Sequence, residues 1–272
     1  MFLPNGVGAL LKARSPWQVT KAVWYAMFMR ELVARTMADR MAWFWMIAEP
    51  LAMVALMVFI RSLVMGGGMM LMNAEFIPWM IVGLLGFYLF RENLTRSLAA
   101  IDMNRMLFAY RQVKPVDTVL VRCYLEFVLK TFIFILFIVG GALLELPLIP
   151  ELPIEAIFAW FSLWTLGLGL GLVFSVLSTL VNEIGILVRV TTLPLLLMSG
   201  VMIPATIVPQ HLQPYFLMNP IVHGVETLRM SFFQHYVTIP GIDQSYLWYW
   251  ALSSMLIGLI LHKHFEPRLK AR

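Results

Sequence analysis

The sequence predicts an all-α integral membrane protein with about six transmembrane helices and both termini in the cytoplasm. Of its 272 residues, 61% are hydrophobic and only 13% are charged, whereas roughly a quarter of the residues in a soluble domain are charged. A helix needs roughly 20 apolar residues to cross a bilayer. Six apolar runs approach that length, at 43–64, 76–92, 120–142, 156–181, 186–208 and 246–262.

The basic residues predict the orientation of these runs, because cytoplasmic loops carry an excess of Lys and Arg. Such residues cluster before the first run and after the sixth, and between the second and third as Arg91, Arg96, Arg105, Arg111, Lys114 and Arg122. Segments 66–75 and 144–155 contain no Lys or Arg, so we expect them to face outward. The net charge of +5 therefore reflects topology and requires no nucleic-acid partner.

The segment 17–40 predicts an amphipathic helix that lies in the cytoplasmic membrane interface. Glu31 and Arg35 have the favourable i,i+4 spacing on one helical face. Trp17 and Trp24 are typical interfacial anchors. The alternative is a plain juxtamembrane extension of the first span. In either case we expect the first span to act as an uncleaved insertion signal, because the N-terminus lacks the short apolar core of a secretory signal.

The segment 94–115 joins the second and third runs and is helical in character at its start. Pro115 is expected to end that helix or to turn the chain. A basic helix that is too polar to insert and too apolar to be a linker suggests docking onto a soluble partner. The alternative is a solvated, positively charged loop.

The segment 198–245 contains Pro204, Pro209, Pro214 and Pro220, which no single straight helix can carry. We expect a span that breaks and returns partway, followed by a short helix at the outer face. Asn219 and Pro220 are suited to the N-cap and the first position of that helix.

The helix predicted after Asn219 carries His223, Glu226 and Arg229 at i,i+3 spacing. Two interpretations stay open. Glu226 bridges the other two residues and fixes a half-buried helix at a pore mouth, or the three groups contact a polar or anionic substrate that leaves the membrane.

The sequence contains no motif that would hold nucleotide phosphates in the usual way, because G-x-x-x-x-G-K-[ST] is absent. The run GLGLGL at 167–172 instead predicts small-xxx-small helix packing through Gly167 and Gly171. One cysteine, Cys123, and the lack of CxxC or HExxH spacing give no indication of a metal site. We expect no cofactor in this chain.

Three stretches together resemble the permeases of polysaccharide export, the type-2 exporter subunits of ATP-binding-cassette transporters. NPIVHGVETLR resembles the segment near their last span, and LVNEIGILVRVTTLPLLLMSGVMIP resembles their fourth cytoplasmic turn and fifth span, where their usual Arg-Asp pair reads Asn182-Glu183. The entry into span one matches at Arg30, Glu31, Trp45, Glu49 and Pro50. The resemblance covers most of the chain and points to the capsule export permease of Gram-negative bacteria.

This resemblance implies a single permease domain in the bacterial inner membrane that works as a homodimer. Two separate ATPase subunits would bind ATP and Mg²⁺, an acidic lipid-linked capsular polysaccharide would be the substrate, and a periplasmic adaptor and an outer-membrane channel would lie beyond. It also implies that ATPase motion reaches the permease at the gate helix 17–40 and the coupling helix 94–115. The residues concerned are Glu31, Arg35, Asp102, Asn104, Arg105, Arg111 and Pro115.

Aromatic side chains in the spans are candidates for contact with a sliding polymer, because their faces stack on sugar rings without holding them tightly. Candidates for the lining are Trp43, Trp45, Phe87, Tyr88 and Trp164, together with Glu49. A carboxylate within a span is costly in lipid, so we expect Glu49 to pair with a base such as Arg91 or to line the cavity.

Other functions remain open at this point. The cargo could be another lipid-linked polymer, such as O-antigen or teichoic acid, or a small drug. A membrane-embedded glycosyl or acyl transferase with His223 and Glu226 as acid and base is a third hypothesis, which lacks a second carboxylate or nucleophile nearby in the sequence.

Overall fold

The structure is a computed structural model that describes residues 15–37, 41–65, 70–71 and 73–271. Residues 38–40 of the predicted interfacial helix and residues 66–69 and 72 of the predicted outer loop lie outside this part. The described elements are α1 (Pro16–Thr36), α2 (Ala42–Met65), β1 (Met70–Leu71), β2 (Ala74–Glu75), α3 (Phe76–Ser97), α4 (Pro115–Leu143), α5 (Pro153–Leu180), α6 (Asn182–Met198), α7 (Gln213–Phe216), α8 (Pro220–Phe232) and α9 (Gln244–Ala271). Two 3₁₀ helices lie at Asp102–Ala109 and Ala205–Ile207.

The described residues are mostly helical, with irregular connections between the helices and one short antiparallel hairpin. Its two-residue strands β1 and β2 pair Met70 with Glu75 and Leu71 with Ala74. Each of the six apolar runs coincides with one long helix, α2, α3, α4, α5, α6 and α9. Three of the described helices, α2, α4 and α5, are long and apolar enough by themselves to cross a membrane.

The core is built by α3, α5, α8 and α9, and glycines allow the closest approaches. A Cβ on Gly167 would meet the backbone of Phe90, and one on Gly171 would meet Ser97, so both glycines bring α5 against α3. Gly169 on the same helix brings α5 against α9, where a Cβ would meet Ser254. The predicted packing role of Gly167 and Gly171 is confirmed.

The connection 94–115 differs from the predicted single helix. Residues 94–97 complete α3, residues 102–109 form the first 3₁₀ helix, and Pro115 begins α4. Of the two outcomes expected for Pro115, the structure shows no helix that ends there; the chain turns at 111–112, and Pro115 stands at the first position of α4, where the backbone donor that proline lacks would be unpaired in any case. Asp117 reinforces this start by accepting a hydrogen bond from the Lys114 backbone at 3.0 Å.

The region after α6 is irregular, as its prolines predict. α6 ends at Met198, ten residues before the end of the predicted run 186–208. Gly200 follows with a φ of +70°, a conformation that glycine adopts without strain. α8 then begins as predicted, with the Asn219 side chain accepting from the Ile221 backbone at 3.1 Å and Pro220 in the first turn.

Candidate functional site

A charged cavity of about 460 Å³ lies between α1, α2, α3 and α4. Four acidic and four basic side chains line it, together with Trp45 and smaller apolar groups: Glu31, Glu49, Glu92, Glu126, Arg35, Arg96, Arg122 and Lys130. The sequence singled out Glu31, Arg35, Trp45 and Glu49 of this set. The structure therefore brings part of the predicted coupling set and part of the predicted lining set to one place.

Helix α1 is held on α4 by charges. The Arg122 Nη2 atom lies 2.6 Å from Glu31 Oε1, and Arg35 Nε lies 3.5 Å from Glu126 Oε1. The expected i,i+4 pairing of Glu31 with Arg35 is therefore replaced by two contacts between helices. The physical reason is that α4 offers each residue a more buried partner, where an ion pair is less screened by water.

Arg122 joins three elements and was not among the predicted site residues. Besides Glu31, its Nη1 atom donates to the backbone carbonyl of Arg96 at 3.2 Å and approaches the sulfur of Met103 at 3.6 Å. These contacts connect α1, the end of α3 and the first 3₁₀ helix through one buried guanidinium.

A second network of ion pairs connects α2 and α3. Arg91 Nη2 donates to Glu49 and to Glu92 at 2.8 Å each, and Arg96 Nε lies 3.2 Å from Glu92. The Arg91 guanidinium also lies over the ring of Tyr88, 4.3 Å from its centroid. Glu49 thus both pairs with Arg91 and lines the cavity, so the two alternatives expected for it occur together.

Helix α4 contributes Arg122, Glu126 and Lys130 to the cavity, one turn apart on one face. Lys130 is only 5% exposed, and no carboxylate among the described residues lies within ion-pair distance of it. The Glu126 Oε2 atom is also buried, and it has no hydrogen-bond partner among the described residues. Three ionisable residues spaced by four in an otherwise apolar helix are the sequence signal from which this charged face could have been predicted.

The predicted coupling residues after α3 fall into two groups. Asn104 is buried, donates to the Ala100 carbonyl at 2.7 Å and accepts a hydrogen bond from Arg30 of α1. Asp102 and Arg105 form an exposed pair at 2.8 Å. Arg111 is exposed and Pro115 is buried at the start of α4.

The exposed side of the first 3₁₀ helix is apolar as well as charged. Met103 is 70% exposed and Met106 is 90% exposed. Flexible methionines on an exposed surface are typical of docking sites.

The predicted aromatic lining is not gathered in one path. Phe87 is fully buried and packs on Phe90, and Tyr88 is almost fully buried. Trp164 is half-buried and donates to the Cys123 carbonyl at 3.0 Å. Trp43 is exposed and makes an edge contact with Phe132, so Trp45 alone of the five lines the charged cavity.

The Glu226–Arg229 pair lies at the opposite end of α3, and both side chains are 0% exposed. Arg229 Nη1 lies 2.8 Å from Glu226 and donates to the Gly200 carbonyl at 2.6 Å, and Nη2 donates to the Val201 carbonyl at 2.9 Å. The guanidinium carbon is 3.6 Å from the centroid of the Trp79 ring. Arg229 thereby fixes the irregular chain after α6 onto α3 and α8.

Two hydroxyl groups complete the hydrogen bonding of the Glu226 carboxylate. Thr238 donates to Oε2 at 2.5 Å and Tyr236 donates to it at 3.1 Å. Burial raises the pKa of Tyr236 to about 12, so its phenol remains protonated and able to donate at neutral pH.

His223 takes no part in this pair, so Glu226 does not bridge His223 and Arg229 as one interpretation held. The His223 Nδ1 atom accepts from the Asp243 backbone at 2.9 Å, and Nε2 lies 2.8 Å from the Leu217 carbonyl. Both ring nitrogens are used by the backbone, which requires a neutral ring with its proton on Nε2.

In the described ranges no three His, Cys, Asp or Glu side chains come together as metal ligands. Cys123 is buried and lies 3.1 Å from the Ser97 hydroxyl.

Comparison with known proteins places this architecture in a family. The family model described as ABC-2 type transporter matches residues 22–233. The polysialic acid transport protein KpsM of Escherichia coli is 31% identical over 261 residues, which cover 94% of this chain and 98% of that protein.

Two further relatives are similar over nearly the same length. The capsule polysaccharide export inner-membrane protein BexB of Haemophilus influenzae is 26% identical over 89% of this chain and 90% of its own. The corresponding protein CtrC of Neisseria meningitidis serogroup A is 24% identical over 89% of each chain. With most of its length matched by the family model and by these relatives, the chain belongs to the ABC-2 type transporter family.

Proposed function

We propose that this chain is the inner-membrane permease of an exporter that moves lipid-linked capsular polysaccharide out of the cell. The observation that carries this proposal is the similarity, over nearly the whole chain, to relatives named for polysialic acid transport and capsule polysaccharide export. The charge balance of the cavity is compatible with a polar polymer that is contacted without being trapped, since four acidic and four basic side chains line it.

A separate ATPase supplies the energy and binds ATP and Mg²⁺. The first 3₁₀ helix supports this role, because it presents an exposed ion pair and exposed methionines on one side. Asn104, which is buried, bonds to Arg30 of α1, and the sulfur of the exposed Met103 also contacts Arg122 of α4. Movement of the docked ATPase would therefore be transmitted through this helix directly to α1 and to the charged cavity.

A second copy of the chain completes the pathway. In α2 and α6 many apolar side chains are exposed, among them Leu51, Leu56, Phe59, Ile186, Leu187, Val190 and Leu193. A face of this kind suits either lipid or a partner helix. In a homodimer the two α6 helices, with Arg189 exposed among these residues, would contribute to a shared central path.

The full topology of the proposal has six spans, α2, α3, α4, α5, α6 and α9, with both termini in the cytoplasm. The segment from Ser199 to the end of α7 re-enters from the outer face, and α8 supports it through Arg229. A periplasmic adaptor and an outer-membrane channel then receive the polymer.

The enzyme alternative is weakened by the geometry of its two candidate groups. Both nitrogens of His223 are bonded to backbone atoms, and the carboxylate of Glu226 is enclosed by Arg229, Tyr236 and Thr238. Neither group is free to transfer a proton in this conformation.

The test is deletion of this chain in its native bacterium, followed by separate measurement of polymer at the cell surface and inside the cell. Export predicts loss of surface capsule with accumulation of lipid-linked polymer inside, and recovery when the intact chain is restored. Loss of polymer from both places would indicate a role in synthesis and contradict the proposal. Purification of the restored chain should also recover an ATPase that carries the phosphate-binding motif.

A further inference from the structure

An apolar groove of about 590 Å³ lies on the other side of α4 from the charged cavity. Aromatic and aliphatic side chains from α1, α4 and α5 line it: Trp24, Tyr25, Phe28, Leu120, Val121, Tyr124, Val128, Trp164 and Leu168. Its volume falls within the range of roughly 300–1,000 Å³ typical of small-molecule sites. Contacts between rings occur within it, as in the approach of Phe28 to Tyr124 with 5.7 Å between centroids.

The groove opens on an exposed face of α4. Its long wall runs along α4 from Leu120 to Val128, a rise of about 12 Å, and α4 and α5 are both apolar enough to cross a membrane. Tyr124 and Val128 are exposed there. The solvent of such a surface is the hydrocarbon of the bilayer, so an acyl chain is the natural occupant.

One end of the groove carries positive charge. Trp24 Nε1 donates to Asp117 Oδ1 at 3.0 Å, and this contact joins α1 to the start of α4. Lys21 lies one turn before Trp24, Lys114 lies just before α4, and both are exposed. In the part of the chain that the structure describes, neither lysine forms an ion pair, whereas both carboxylate oxygens of Asp117 accept hydrogen bonds from protein groups.

We propose that this groove binds one anionic glycerophospholipid of the membrane, with an acyl chain between α1, α4 and α5 and its phosphate near Lys21 and Lys114. The occupant is a resident lipid that supports α1 from beneath. The separation by α4 keeps it apart from the charged cavity, and the site does not depend on the identity of the exported cargo. The preference for an anionic headgroup follows from the two lysines, which form no ion pair among the described residues, although Lys21 also lies 5.2 Å from the centroid of the Trp17 ring. Each cation near a membrane surface contributes to the attraction of anionic lipid.

The experiment is native mass spectrometry of the purified full-length protein after incubation in mixed micelles of phosphatidylglycerol and phosphatidylcholine. The wild type is expected to retain one phosphatidylglycerol per protomer in preference to phosphatidylcholine. Replacement of both lysines, Lys21→Gln with Lys114→Gln, should weaken phosphatidylglycerol retention about 30-fold and leave phosphatidylcholine retention unchanged. Lys263→Gln, at an exposed cation on α9, is the matched control and should have no effect.

The acyl part is tested by filling the groove. Val128→Trp should abolish retention of both lipids, while the same substitution at Val139, an exposed position on α4 outside the groove, should not. Val128→Phe serves in its place if the larger variant fails to fold. Lipid retention that is unchanged in the lysine and groove variants would overturn the proposal.

Two further outcomes would also overturn it and would identify another occupant. A groove variant that changes the oligomeric state and leaves lipid retention intact would assign the groove to a second copy of the chain. Displacement of phosphatidylglycerol by a sugar-bearing lipid extracted from the native membrane would assign it to the cargo. Failure of the export proposal would leave the phosphatidylglycerol result unaffected, because the binding assay contains neither ATPase nor cargo.

Discussion

Arg122 of α4 donates to Glu31 of α1 across 2.6 Å, and this ion pair fastens the proposed gate helix to the wall of the charged cavity. Arg122 is almost fully buried and also bonds the Arg96 carbonyl at the end of α3. A buried guanidinium with partners on separate helices fixes their relative positions, because each partner it loses leaves a desolvated polar group.

The first prediction concerns this ion pair. Glu31→Arg places two cations together and should reduce export at least tenfold, whereas the exchange Glu31→Arg with Arg122→Glu should recover part of it. Recovery is partial because a glutamate cannot donate to the Arg96 carbonyl. Surface capsule is the measurement, and Glu155→Arg, at an exposed acid, is the control. Equal loss in the single and exchanged variants would show that the pair itself is not what matters.

The second prediction concerns docking of the ATPase. Arg105→Glu with Arg111→Glu reverses two exposed cations beside Met106 and should reduce copurification of the ATPase, with a smaller effect at high salt because exposed charges are screened. The permease should keep its thermal stability, since neither side chain is buried. Copurification that is unchanged at low salt would contradict the assignment of this surface.

The third prediction separates docking from coupling at Asn104. Its side chain is buried and holds Arg30 of α1, so Asn104→Leu should lower export while the ATPase still copurifies and still hydrolyses ATP. Gln210→Leu, at an exposed amide in the segment after α6, is the matched control. Joint loss of ATPase binding and export in the Asn104 variant would indicate that the whole 3₁₀ helix had been displaced.

Much of the fold follows from the sequence, because the six apolar runs and the cap formed by Asn219 are local signals. The same local logic explains the errors. An i,i+4 pairing was expected for Glu31 and Arg35, but each finds a partner on α4, which local spacing does not reveal. The two outcomes predicted for Pro115, a helix end or a turn of the chain, leave out a helix start, to which proline is equally suited.

The candidate site was less predictable than the fold. Arg122 was counted with the basic residues between two runs, so its position on one face with Glu126 and Lys130 was missed. The aromatic candidates do not line one common path, for a different reason. Phe87 and Tyr88 are core residues of α3, and an apolar ring in a span can face lipid, protein or a path with equal fit to the sequence.

The fourth prediction concerns the buried pair at the outer end of α3. Arg229→Met should lower the free energy of unfolding by about 3–5 kcal/mol, because it leaves the Glu226 carboxylate buried without its cation. The double variant Arg229→Met with Glu226→Gln should be less destabilised than Arg229→Met alone. Thermal unfolding in detergent of these two variants and of Glu226→Gln alone completes a double-mutant cycle. Additive effects in this cycle would show that the two residues do not depend on each other.

The fifth prediction tests how tightly Arg229 is confined. A Cβ on Gly83 would overlap its guanidinium group, and Arg229 is held by Trp79 and by the carbonyls of Gly200 and Val201. Gly83→Ala should therefore destabilise the wild type. In the Arg229→Met background the planar group is gone, and alanine is favoured over glycine in a helix by roughly 1 kcal/mol, so the same substitution should become neutral or stabilising. A loss of stability that is equal in both backgrounds would mean that Gly83 is required by another neighbour, and that the guanidinium is free to move.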